Sequence, residues 1–157
     1  MLRRLVKFLS LPSREKLVCC EAFSLLILSR LCVNIIPFRH IYRFLSALGG
    51  QKTVQVSRDV RIVKESLLRA ANVLPGNSSC LSRSIVAFIM LRRRGVPAVM
   101  FIGARLEHSL IAHAWIQPMY LAENASEELA YTPLMTIGRQ PANVMRLRDV
   151  PGSDQTT

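Results

Sequence analysis

Apolar residues fall in long runs over roughly the first hundred positions and in shorter runs after them, and the breaks between runs carry Pro, Gly and Ser. Met1 to Ser10 is a short basic amphipathic piece. Pro12 and Ser13 then supply a proline and a candidate cap, and the pattern predicts a long helix from about Arg14 to Ile35, closed by Pro37. A further short helix is expected from Arg39 to Leu48, ended by Gly49 and Gly50. Another follows from about Arg58 to Val73, with Ser57 as candidate cap and Pro75 and Gly76 as its stop. In the next segment Ser78 or Ser79 can cap a helix running from Cys80 to Arg94, which Gly95 and Pro97 terminate. Leu81, Ile85, Val86, Phe88, Ile89, Met90 and Leu91 leave this helix little polar face, so it belongs at the centre of the fold. Val96 to Arg105 and Leu110 to Leu121 read as two strands. No internal repeat is visible. Helices first and strands after them predict an α+β fold.

Composition sharpens this picture. The chain has 157 residues, half of them apolar, the length of one ordinary domain and enough to bury a core without disulfides or metals. Its formal charge of +11 is unevenly spread. Residues 1–50 carry eight Lys/Arg against two acids, residues 51–105 ten against two, and residues 106–157 three against six. The basic part is therefore the helical part. It lacks both interleaved aromatics and a recognisable reading motif, so no nucleic-acid partner is expected. The run from Leu17 to Ile36 is apolar, but Glu21, Arg30 and Asn34 interrupt it. A charge at bilayer depth costs about 2.5 kcal/mol or more, so a buried or partner-facing helix is expected and no membrane span. Cys19, Cys20, Cys32 and Cys80 form no repeated metal-ligand pair, and no signal peptide directs the chain to an oxidising compartment. Reduced thiols in the cytoplasm are the expectation.

Two residues carry candidate chemistry. A thiol in the first turn of a helix, as at Cys80, faces unpaired backbone N–H groups and the positive end of the helix dipole, and both favour thiolate. The same N–H groups can hold an oxyanion. In the second strand the two-residue period sets His113, Trp115 and Gln117 on one face and Ala112, Ala114 and Ile116 on the other. A histidine on a strand packed against the start of a central helix can take a proton from a cysteine there and return it to a leaving amine. A cysteine beside an apolar run is also a common small core residue, and a histidine in a sheet a common structural one. The residues alone leave both readings open. His40, in a basic helix, and His108, beside Glu107 in the loop between strands, have no ligand spacing to another His or Cys. No metal and no cofactor are expected.

Taken in order, CLSRS at Cys80, LRRRGVPA, a strand ending in IGAR and then HAW at His113 resemble the protease part of lasso-peptide B proteins. PFRHIYRFLSALG in the first half resembles their stand-alone members. That family lies within the transglutaminase-like superfamily of papain-type Cys–His–acid enzymes. The resemblance implies N-terminal helices followed by a transglutaminase-like or papain-like core, in which a central helix packs on a small antiparallel sheet. In domain terms, 1–50 is an N-terminal helical region, 51–148 the cysteine protease core and 149–157 a disordered tail. It implies Cys80 as nucleophile and His113 as base and acid, with Trp115 a candidate screen against water. The family's third member, an acid that orients the imidazole, falls on Ala125 in a gap-free reading, so the candidates for that role are nearby Glu123 and Asn124, or a more distant acid. The implied activity is a cytoplasmic cysteine peptidase that removes the leader from a lasso precursor peptide. Its implied partners are a separate leader-binding RiPP recognition protein, docked on the helices around Arg14 to Arg43, and an asparagine-synthetase-like lasso cyclase. The alternative from another class is a non-enzymatic basic helical adaptor for an acidic partner, a nucleic acid or a membrane surface.

Overall fold

The computed structural model describes residues 12–48, 56–74, 79–106, 109–117 and 131–138. The Met1 to Ser10 piece, the end of the second expected strand at 118–121, and the tail at 149–157 lie outside the described residues. Among the described residues four helices come first: α1 (Ser13–Ile35), α2 (Phe38–Ala47), α3 (Val56–Ala71) and α4 (Cys80–Arg93). Three described strands follow: β1 (Val99–Leu106), β2 (Leu110–Gln117) and β3 (Thr132–Ile137). They form an antiparallel sheet in the order β2-β1-β3. This is the α+β arrangement the pattern of the chain implies.

The helix ends show where the local rules hold. Ser79 caps α4, its hydroxyl oxygen accepting from the Ser82 N–H at 3.2 Å. At the other end the Gly95 N–H donates to the Arg92 carbonyl and the Val96 N–H to the Leu91 carbonyl, with Gly95 at a φ of +75°. That pair of bonds is the Schellman closure, which requires a left-handed residue and so favours glycine. It also corrects the expected start of β1. The N–H of Val96 is used by the helix and Pro97 has none to give, so pairing begins at Val99. Two expected caps are corrected as well. Ser13 is the first residue of α1, with Pro12 at the cap position and no side-chain cap bond, and Ser57 lies inside α3, which starts at Val56.

α4 is the centre of the molecule, packed by α1 and α3 on one side and chiefly by β2 on the other. Val86, Phe88, Met90 and Leu91 have no exposed surface. One continuous core joins them to Val18, Ala22 and Leu26 of α1, Ile41 and Leu45 of α2, Val60 and Val63 of α3, and Met100, Ile116 and Ile137 of the sheet. Burying side chains of this size contributes about 1.5–3 kcal/mol each relative to exposure. A second, smaller cluster of Val99, Phe101 and Trp115 covers the opposite face of the sheet, with Tyr131 against it.

α1 is apolar on its outer side too. Leu17, Leu28, Leu31 and Ile35 are each more than half exposed. By length and composition α1 could cross a membrane, yet 28% of its most apolar window is packed inside the fold. Its Glu21 pairs with Arg93 at 3.0 Å and with Arg94, tying it to the end of α4. Between α1 and α2 a groove of about 360 Å³ is lined by Leu28, Ile36, Phe44 and Ile89, among others.

Candidate active site

Cys80 is the first residue of α4, half-buried, directly after the Ser79 cap. The cap takes up the Ser82 N–H, and the Ser79 carbonyl accepts from the Arg83 N–H. The hydroxyl of Ser79 also donates to that of Ser82 at 3.0 Å, and the Ser82 carbonyl accepts from the buried Ser29 of α1 at 3.4 Å. The first turn of α4 is thus held from two sides.

One turn further along α4, the Ser84 hydroxyl donates to the carbonyl of Ala114 on β2 at 2.9 Å. The far end of α4 lies at the other end of the sheet. A Cβ on Gly138, just past β3, would meet Arg92 Nη2 at 2.7 Å, the Ala98 carbonyl oxygen at 2.7 Å and Phe88 at 3.2 Å. α4 therefore runs in the same direction as β2. Four residues of helix rise about 6 Å and two residues of strand span about 6.6 Å, so stepping back from Ser84 to Cys80 reaches the level of Ala112 and His113. The backbones of Cys80 and His113 therefore come to the same level of adjoining elements. The alternation along β2 holds as expected. Ile116 joins the core beneath the helices, while Trp115 lies in the cluster on the opposite face. His113 shares that face, half-buried.

The surroundings of His113 are aromatic. Trp115 stacks with it at 6.1 Å between ring centroids, and Tyr131 at 5.0 Å with 30° between the planes. Phe101 stacks on Trp115 at 5.6 Å. The Arg105 guanidinium lies over the Tyr131 ring at 4.9 Å. Trp115 is 4% exposed, packed with Val99 and Phe101. Tyr131 was not among the residues singled out from the sequence; it lies eighteen positions beyond His113, and no local pattern connects the two.

Glu123 and Asn124, the residues read as orienting His113, lie outside the described residues, as do Glu107 and His108. His40 is exposed and accepts from Arg39 Nε at 3.1 Å. Among the described residues no group of three or more His, Cys, Asp and Glu is placed to hold a metal ion. All four cysteines are free thiols. Burial, reinforced by the neighbouring Cys20 and partly offset by Arg69, pushes the Cys19 thiol above its ordinary range. Cys19 is a core residue held as thiol.

A family model, described as the transglutaminase-like superfamily, matches residues 25–136, from within α1 to within β3. No curated protein matches the chain, and no solved structure does.

Proposed function

The chain belongs to the transglutaminase-like superfamily, and on that premise we propose that it is a cysteine peptidase that cuts the leader from a lasso-peptide precursor with Cys80 as nucleophile and His113 as base and acid. The observation that supports the reading is the Ser84–Ala114 bond, which ties α4, one turn after Cys80, to β2, one residue after His113. In the reaction Cys80 gives its proton to the imidazole and its sulfur attacks the last carbonyl of the leader. The oxyanion lies where the first N–H groups of α4 point. Collapse expels the core peptide's amine, which takes the proton from His113, and leaves a thioester on Cys80. Water, deprotonated by His113, then releases the leader as its carboxylic acid and restores the thiol. Glu123 or Asn124 orients the imidazole in this scheme.

The freed amine is the group that a separate ATP-dependent cyclase of asparagine-synthetase type would join to a side-chain carboxyl. A flexible leader binds a lone cleft weakly, because ordering it costs entropy that few contacts offset. A leader-binding recognition protein that docks on this chain would supply the missing affinity. The exposed apolar side of α1, with net positive charge around it, supports such a docking partner. The test is to mix the purified chain with precursor peptide, with and without that protein, and follow the products by mass. Cleavage between leader and core that requires both Cys80 and His113, and that the partner accelerates, is the expected result. An intact precursor in both mixtures would leave a non-catalytic adaptor as the better account.

A further inference from the structure

β1 lies between β2 and β3, so a side chain entering from β3 must cross one strand to touch a residue on β2. Strands sit about 4.8 Å apart, and a side chain on the middle strand would ordinarily fill the gap. At this level the middle strand has Gly103, paired with His113 on one side and Pro133 on the other. A Cβ there would fall 2.6 Å from the Thr132 carbonyl oxygen and 2.8 Å from the Trp115 ring. Only glycine fits, and rings occupy the space. β3 bulges at the same place, with Leu134 inserted between the partners of Ile102 and Gly103. The residue just before β3 is Tyr131, and its ring stacks on the His113 imidazole at 5.0 Å.

The χ2 torsion of histidine is broad, so a strand backbone fixes where an imidazole starts and leaves open which way its nitrogens face. Neighbours must decide that. Trp115 follows His113 on its own strand and lies 6.1 Å away; Tyr131 is closer and comes from the far side of the sheet. The Arg105 guanidinium over the Tyr131 ring holds that ring in turn. We infer that Tyr131 is a positioning residue for His113, its ring closing over the gap at Gly103 to hold the imidazole in one orientation. The consequence for catalysis rests on the function proposed above; the orientation itself does not.

The experiment compares wild type, Tyr131→Phe and Tyr131→Leu, each first shown to be folded by circular dichroism. Two quantities are read: the NMR signals of the His113 ring protons, and kcat and KM for cleavage of the precursor peptide with the leader-binding protein present. Tyr131→Phe keeps the ring and should match wild type in both. Tyr131→Leu removes a ring current whatever the imidazole does, so the signals read are the nuclear Overhauser contacts between the His113 and Trp115 rings, which should weaken as the imidazole leaves its one orientation. Tyr131→Leu should also lower kcat by about ten- to a hundredfold, the scale of a small misplacement, with KM within about twofold. Unchanged His113–Trp115 contacts in Tyr131→Leu would overturn the inference, and so would weakened contacts with an unchanged kcat. If wild type cleaves nothing, the NMR comparison still decides whether Tyr131 orients His113, and it is the proposed function that fails.

Discussion

α4 buries Val86, Phe88, Met90 and Leu91 completely, whereas α1, equally apolar along its middle, leaves Leu17, Leu28, Leu31 and Ile35 more than half exposed. The difference lies in what stands on either side. α4 has α1 and α3 on one flank and β2 on the other; α1 packs on α3 and α4, and no described element covers its outer face. Apolarity around a whole helix announces that a cover is needed without saying whether the chain itself provides it. The cysteines make the same point chemically. Cys19 sits in the body of α1, buried and held as thiol, while Cys80 sits half-buried at the start of α4, where the first backbone N–H groups have no partner further back in the helix.

The sharpest way to break this contrast is by activity. Cys80→Ala and His113→Ala should each lower kcat for precursor cleavage by about 10⁴-fold or more, because members of one catalytic unit fail together. Cys19→Ala and Cys32→Ala should leave it within about twofold. A comparable loss from a cysteine of α1 would show that the contrast is misplaced.

Stability divides the helices next. Phe88→Ala in α4 should cost about 3–5 kcal/mol in urea unfolding. Leu28→Ala on the outer side of α1 should stay within about 0.5 kcal/mol. Similar costs at the two positions would mean that the α1 face is covered in the free protein. The two N-termini give a smaller version of the comparison. Ser79→Ala removes a cap from α4 and should cost about 1 kcal/mol. Pro12 of α1 makes no side-chain cap bond, and its replacement by Ala should cost much less.

The smallest effect is a pH dependence. The Cys19 thiol is raised above its ordinary value, first by burial. The folded state then holds this proton more tightly than the unfolded chain does. The associated stability is complete below the unfolded value and is lost as pH rises through the raised folded value. Unfolding free energies measured from neutral to alkaline pH should therefore fall more steeply for wild type than for Cys19→Ala. Parallel curves would show that Cys19 is not held as thiol.

The sequence patterns located the helices to within a residue or two at most ends, because Pro, Gly and Ser mark them. They located the start of α4, and so Cys80, since cap, apolar run and Gly95 closure all agree there. Ser13 and Ser57 misled because a serine near a helix start is a cap only if its backbone stays outside the helix. β3 was not anticipated: Pro133 lowers its strand character, and it is tolerated because β3 lies at the edge of the described sheet and bulges beside the proline. The exposure of α1 was invisible for a different reason, since hydropathy reports need for cover and not its source. The Tyr131–His113 stack was equally hidden, because it depends on a glycine in a third segment whose role appears only once the strands are paired.

The central claim, that Cys80 is activated by its helix start and by His113, is tested most directly by alkylation. Iodoacetamide rate constants for all four cysteines can be read by mass spectrometry at neutral pH, in wild type and in His113→Ala. Cys20 is exposed and serves as the internal standard for an ordinary thiol. The account predicts that Cys80 reacts at least about tenfold faster than Cys20 although it is less exposed, that His113→Ala removes most of this advantage, and that Cys19 is slowest. Cys80 reacting no faster than Cys20, or as fast without His113 as with it, would contradict it.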